Sequence, residues 1–219
     1  MKTAAVKVDF SQVPAGSRLA ARRAAFLSAA RTVFQEKGFA EATLDDVIAL
    51  SGGSRQTLYL LFGGKKGLLE ALITETAETI FRGLTPEKLA PQPPEQVLTE
   101  FGVRYLEIVT SPAALSINRL IIAEAARLPD IAERYWQLGP GRSRDFLTDF
   151  FDRQIERGRL QMPDSRRAAD HFLEMLSGTL RFQCLIGVRT SPDKSEIEEI
   201  AAAAVAQFFV GCAAATAPG

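Results

Sequence analysis

The chain has 219 residues, 47% of them apolar and 24% charged, which is material for one or two domains with a buried core and an ordinary balance for a soluble globular protein. Its two cysteines, Cys184 and Cys212, lie far apart without metal-ligand spacing; this argues against a disulfide framework or a zinc site and suits a reducing cytoplasm. The net charge of zero is a cancellation: residues 1–67 hold 10 Lys/Arg against 5 Asp/Glu, and residues 68–219 carry the opposite surplus, so one end is suited to meet a polyanion.

The opening MKTAAVKVDFSQVPAGSRLA lacks a continuous apolar run, so no secretion signal is expected and residues 1–17 read as an arm. Beyond it apolar residues recur at helical spacing, with no alternating β-branched run, which predicts an all-α fold. The first helix is predicted from Ser17 to Lys37, burying Leu19, Phe26, Leu27, Ala30, Val33 and Phe34, with Gly38 as its stop. Thr43 opens the second, with Asp46 completing a capping box and Val47, Ile48 and Leu50 turned inward. Gly52 ends that helix, and Ser54 caps a third that finishes near Phe62. After a second Gly-Gly pair, a long fourth helix carries Leu68, Leu69, Leu72, Ile73, Ala77, Ile80 and Phe81 on one side.

The clearest break in the chain is TPEKLAPQPP, residues 85–94. Helices are predicted after it at about 94–110, 112–127, 129–137, 141–158, 164–188 and 192–213, several of them with Pro at the first helical position. The organisation expected is an N-terminal three-helix helix-turn-helix domain over 1–67 and a helical ligand-binding and dimerisation bundle over 68–219. The Ala-rich segment 200–217 contains Gln207 and falls short of the roughly 20 strongly apolar residues of a spanning helix, so no membrane association is expected.

Two short helices joined by a tight glycine turn form a helix-turn-helix, whose second helix offers its first residues to the major groove. Arg55 can bond the O6/N7 edge of guanine and Gln56 the N6/N7 edge of adenine, so these two are the expected base readers. Lys65 and Lys66 stand at a helix N-terminus, where free N–H groups favour phosphate, and Thr43 stands at another. In the second region, Phe101, Tyr105, Ile117, Leu120, Ile121, Tyr135, Trp136, Phe146, Phe150, Phe172 and Met175 supply an apolar pocket with polar handles. A dimer surface is expected on the last two helices, from Leu176, Gly178, Thr179 and Leu180 with Ala201, Ala204, Val205, Phe208 and Phe209.

The segment AARTVFQEKGFAEATLDDVIALSGGSRQTLYLLFGGKKGLLEAL resembles the DNA-binding domain of the TetR/AcrR family of bacterial transcriptional regulators. The resemblance is carried by Phe34, Gly38-Phe39, Thr43, Asp46-Val47, Gly52, Ser54, Thr57-Leu58-Tyr59, Phe62, Lys65 and Leu68-Leu69. It implies phosphate contacts at Thr43, Ser54, Thr57, Tyr59 and Lys65, and base reading at Arg55 and Gln56. RLIIAEAARLPDIAERYW and RRAADHFLEMLSGTLRFQCLIG resemble the AefR-like type of C-terminal half. The implied function is a repressor that binds a palindromic operator as a homodimer and is released by a small hydrophobic effector. Two departures stand out: Gly53, expected to loosen a packing contact where the family often has Val, and Leu60-Leu61, where Tyr or His commonly follows the tyrosine.

Rival chemistries fit less well. FGGKKG is no nucleotide loop, because Tyr59 stands where a Walker motif needs Gly and no Ser or Thr follows the lysine. The only histidine, His171, has no matched nucleophile motif, so no catalytic residue, bound metal or cofactor is expected. A helical protein–protein adaptor remains the alternative to a DNA-binding regulator.

Overall fold

A computed structural model describes residues 17–85, 89 and 91–211. Among them there is no strand, and the helices fall close to their predicted places. In chain order they are α1 (Arg18–Glu41), α2 (Leu44–Ser51), α3 (Arg55–Phe62), α4 (Lys65–Phe81), α5 (Pro94–Val109), α6 (Pro112–Glu124), α7 (Pro129–Leu138), α8 (Pro140–Glu156), α9 (Ser165–Leu185) and α10 (Lys194–Gly211). The arm expected over 1–17 lies outside the described residues except for Ser17, which caps α1 by accepting from the Ala20 N–H. Cys212 and parts of the 85–94 break also lie outside them. No single helix among the described residues is long and apolar enough to cross a membrane.

The chain packs as two compact units, one of residues up to Glu75 with Ser116–Tyr135, the other of Thr76–Leu115 with the residues from Trp136 onward. In the first unit α1 packs on α2 and α2 on α3. Phe26, Leu27, Ala30, Val47, Leu58, Leu68 and Leu69 are fully buried there, and the rings of Phe26 and Phe62 meet edge to face at 6.1 Å. Eight-residue helices such as α2 and α3 are too short to persist alone in water. Each is held instead by its buried side chains, of which one fully buried leucine contributes about 1.5–3 kcal/mol. Within this unit Asp130 of α7 accepts an ion pair from Lys66 at 3.0 Å, and Arg31 pairs with Glu75 at 3.0 Å.

Two expectations for this unit are corrected. Leu50 points outward rather than in, because α2 ends one residue later and its buried contact is made by Val47. Gly53 does not loosen the packing: a Cβ there would lie 2.1 Å from Cζ of Phe26, so the aromatic ring fills the space a larger residue would take.

The second unit is built on α5, α8, α9 and α10, with α9 against α8 and α10 against α5. Its core stacks Phe151 on Phe208 at 5.3 Å and sets Phe172 edge-on to Phe208 at 5.1 Å. Gly102 lets α5 approach α9 and α10 closely, since a Cβ would lie 3.0 Å from Leu176 and 3.3 Å from Ala201.

This core absorbs most of the residues assigned by sequence to a dimer surface. Leu176, Leu180, Ala201, Ala204, Val205 and Phe208 are all buried within the monomer. A helical apolar stripe reports that a face is covered but not whether by the same chain or a second one. The outward face of α9 carries Met175, Thr179 and Phe182, followed by Ile186, while α10 exposes Ala202, Ala203, Ala206 and Val210. Gly178 and Phe209 are half-buried.

Candidate nucleic-acid interface

The helix-turn-helix is closed at every end by its own atoms. Thr43 accepts from the Asp46 N–H at 3.1 Å, while the Asp46 carboxylate accepts from the Thr43 N–H at 3.0 Å and from its hydroxyl at 2.8 Å. This is the reciprocal box predicted from sequence. Gly52 then adopts φ 67°, a left-handed geometry that glycine takes without steric cost, and its N–H reaches the Ile48 carbonyl. Arg22 of α1 donates to the carbonyls of Ser51 and Gly52 at 3.3 and 3.2 Å, so it caps α2. Ser54 accepts from the Thr57 N–H at 3.1 Å and opens α3.

Asp46 also accepts from Lys37 at 2.7 Å. That bond first, and the Thr43 N–H and hydroxyl after it, hold its pKa at about 2 rather than 3.8. A carboxylate whose pKa is depressed by folding stabilises the fold above its unfolded value and loses that contribution as pH falls through the folded one. The bonds to the Asp46 carboxylate, that of Lys37 first, therefore contribute above about pH 4 and progressively less towards about pH 2. Asp46→Asn is expected to flatten acid unfolding, followed by helical circular dichroism, in that window. An unchanged profile would mean that the bonds to the Asp46 carboxylate add nothing measurable.

The two base readers predicted from sequence are brought together on the exposed first turn of α3. Arg55 and Gln56 both face solvent, and Leu58, Leu61 and Phe62 beneath them are buried. The guanidinium of Arg55 is engaged: its Nη2 donates to both carboxylate oxygens of Asp45 at 2.6 Å. Asp45 holds the Arg55 pKa above its ordinary value, chiefly through this hydrogen bond. Because both groups are exposed, solvent screens the pair and it contributes little to stability. Asp45 was not identified from sequence; its place in the first turn of α2, ten residues before Arg55, gave no local signal.

The expected phosphate contacts divide. Tyr59 is exposed on the same side as Arg55. Thr43 and Ser54 serve as caps, and the hydroxyl of Thr57 lies 2.8 Å from that of Ser54. Lys65 is half-buried, with its Nζ 4.5 Å from the centroid of Phe39 and donating to the Ala40 carbonyl at 3.0 Å. Burial lowers its pKa, against the opposing pull of Glu124 and Glu41. Lys65 thus ties the start of α4 to the segment after Gly38, where φ of 75° breaks the regular course of α1.

The pocket candidates fall into both units. Phe101, Tyr105, Phe150 and Phe172 belong to the second unit's core, and Phe146 stacks on Phe101 at 5.3 Å. Tyr105 hydrogen-bonds Ser177, and burial raises its phenol pKa. Ile117 and Ile121 are buried and Leu120 half-buried in the first unit, where the Tyr135 hydroxyl donates to Asn118 at 2.7 Å. Trp136 and Met175 are exposed. Phe146 and Phe150 line a cleft of about 270 Å³ with Leu84, Leu89, Asp149, Arg153, Gln154 and Arg157. Gln154 is buried and its Oε1 has no hydrogen-bond partner, a feature that only the folded chain reveals.

Comparison with known proteins gives two family matches. Residues 26–72 match the model of bacterial regulatory proteins of the tetR family, and residues 96–211 match the C-terminal domain of AefR-like transcriptional repressors. Among solved structures, a chain from Mesorhizobium loti MAFF303099 assigned to TetR-family transcriptional regulators is 25% identical, with a TM-score of 0.73 over 89% of this chain and 98% of that one. The flavonoid-responsive regulator FrrA is 26% identical, with a TM-score of 0.70 over 87% and 96%. A TetR transcriptional regulator from Agrobacterium tumefaciens is 25% identical, with a TM-score of 0.61 over 87% and 94%. No curated protein matches the sequence.

Proposed function

This chain belongs to the TetR family of bacterial regulatory proteins, and on that premise we propose that it represses transcription as a homodimer on a palindromic operator and is released by a small, largely hydrophobic effector. The observation that carries the DNA-binding reading is α3, anchored by Leu58, Leu61 and Phe62 with Arg55 and Gln56 outward on its first turn. That is the part of a helix-turn-helix which reaches base edges, and its side chains are those that read guanine and adenine bidentately. Tyr59 and the helix-capping hydroxyls lie where phosphate contacts would set the register. The family and the structural relatives named above are regulators, not enzymes.

The outer faces of α9 and α10 are proposed as the homodimer contact, in place of the buried residues expected from sequence. A second copy would cover Met175, Phe182 and Ile186 on one helix and the small Ala202, Ala203 and Ala206 on the other. Two readers joined in this way must span about 34–36 Å to enter successive major grooves. For the effector, the cleft beside Phe146 and Phe150 offers apolar walls and the buried oxygen of Gln154 as an acceptor. The flavonoid response of FrrA supports an aromatic compound with hydroxyl donors. Such a ligand releases DNA only if it binds better to a dimer with misplaced readers; a coupling of about 1–3 kcal/mol is typical.

The test is selection of bound duplexes from random DNA, repeated with Arg55→Ala. The wild type is expected to enrich a two-fold symmetric site. The variant is expected to lose preference at a guanine in each half-site by roughly 5–150-fold, about 1–3 kcal/mol. Tyr59→Phe should instead weaken all sequences alike. If Arg55→Ala keeps both affinity and preference, α3 is not the reader.

A further inference from the structure

The outward face of α3 contains a leucine that the fold does not use. Leu58, Leu61 and Phe62 mark the buried side of the helix, and at about 100° per residue Gln56 and Leu60 lie opposite it. Leu60 is 50% exposed. A single exposed leucine is ordinary on a protein surface. This one lies on the side of α3 opposite the buried residues, one helical turn beyond Gln56 and next in the chain to the exposed Tyr59. Its side chain has no hydrogen-bonding group and so cannot hydrogen-bond to phosphate or to a base-edge donor or acceptor. What the major groove offers to an apolar side chain is the C5-methyl group of thymine.

We propose that Leu60 is a specificity-determining residue of this chain, which reads thymine through its C5-methyl group. This rests on the proposal that α3 enters the major groove. Gln56 and Leu60 are about 6 Å apart along the helix axis, so the thymine lies about two base steps from the base read by Gln56. Leucine here exchanges a polar contact to any sequence for an apolar contact to one base. The wetted surface of Leu60 and the thymine methyl are removed from water together, which is favourable only where that methyl is present.

The experiment uses the full-length protein and the site obtained by selection. Each thymine is replaced in turn by deoxyuridine, which removes the methyl and leaves the base-edge hydrogen-bonding groups intact. Binding is measured by fluorescence anisotropy for the wild type and for Leu60→Ala. For the wild type, one thymine per half-site is expected to show about fourfold weaker binding on loss of its methyl, the equivalent of one buried methylene. Leu60→Ala should lose most of that sensitivity, at the same thymine and no other. Its thermal midpoint should stay near that of the wild type, because the side chain is half exposed.

Wild-type protein indifferent to every thymine methyl would overturn the proposal. So would an equal methyl effect in Leu60→Ala, which would place the sensitivity in DNA shape or in another residue. A wild type that selects no sequence at all sinks the DNA-reading proposal and this one with it. Selection with no methyl dependence sinks this one alone.

Discussion

Gly67→Ala is expected to lower the unfolding midpoint and to weaken DNA binding, although the residue touches no DNA in the proposed interface. Gly67 lies in the first turn of α4, and a Cβ there would stand 1.7 Å from the carbonyl oxygen of Phe62. The obstacle is backbone at the end of α3, not the tip of a side chain that could rotate away. Relief requires α3 and the start of α4 to separate, which pulls Phe62 from its edge-to-face contact with Phe26. Overpacking of this kind costs about 1–3 kcal/mol and occasionally more. Alanine is intrinsically the better helix former by about 1 kcal/mol, so net destabilisation would show the steric term winning. Thermal unfolding followed by circular dichroism measures the first effect, and anisotropy on the selected site the second. A midpoint unchanged or raised would mean that the two helices do not approach as closely as described.

The second large effect is expected on assembly. Phe182→Glu should convert a dimer to a monomer in sedimentation and weaken operator binding by at least about 100-fold, because each half-site then binds alone. The residue is 59% exposed in the monomer, so the substitution has little to disturb within the chain. Phe208 supplies the contrast. It is buried between Phe151 and Phe172, and Phe208→Ala should cost about 3–5 kcal/mol of fold stability. A Phe182→Glu protein that remains dimeric would remove the outer face of α9 from the interface.

What could be read from sequence was what depends on neighbours a few residues apart. The Thr43–Asp46 box, the Ser54 cap and the stop at Gly52 are encoded within three or four positions, and the structure has each of them. The helix bounds followed from the same punctuation and from apolar periodicity. The features that escaped join residues distant in the chain. Gly53 could be understood only with Phe26 lying over it. Arg55 faces Asp45 ten residues away, and Lys65 reaches the Ala40 carbonyl 25 residues back. Periodicity also marked Leu176, Val205 and Phe208 as covered without saying by what; all three are buried within the monomer itself.

The closure of α3 by Ser54 at one end and Gly63 at the other has a consequence for how DNA is met. A segment that became ordered only on the duplex would forfeit about 1–2 kcal/mol of backbone freedom per residue, on the order of 10 kcal/mol for a helix of this length. Here that loss is already incurred during folding. The duplex encounters a finished shape, and the free energy of contact is left for discriminating among sites.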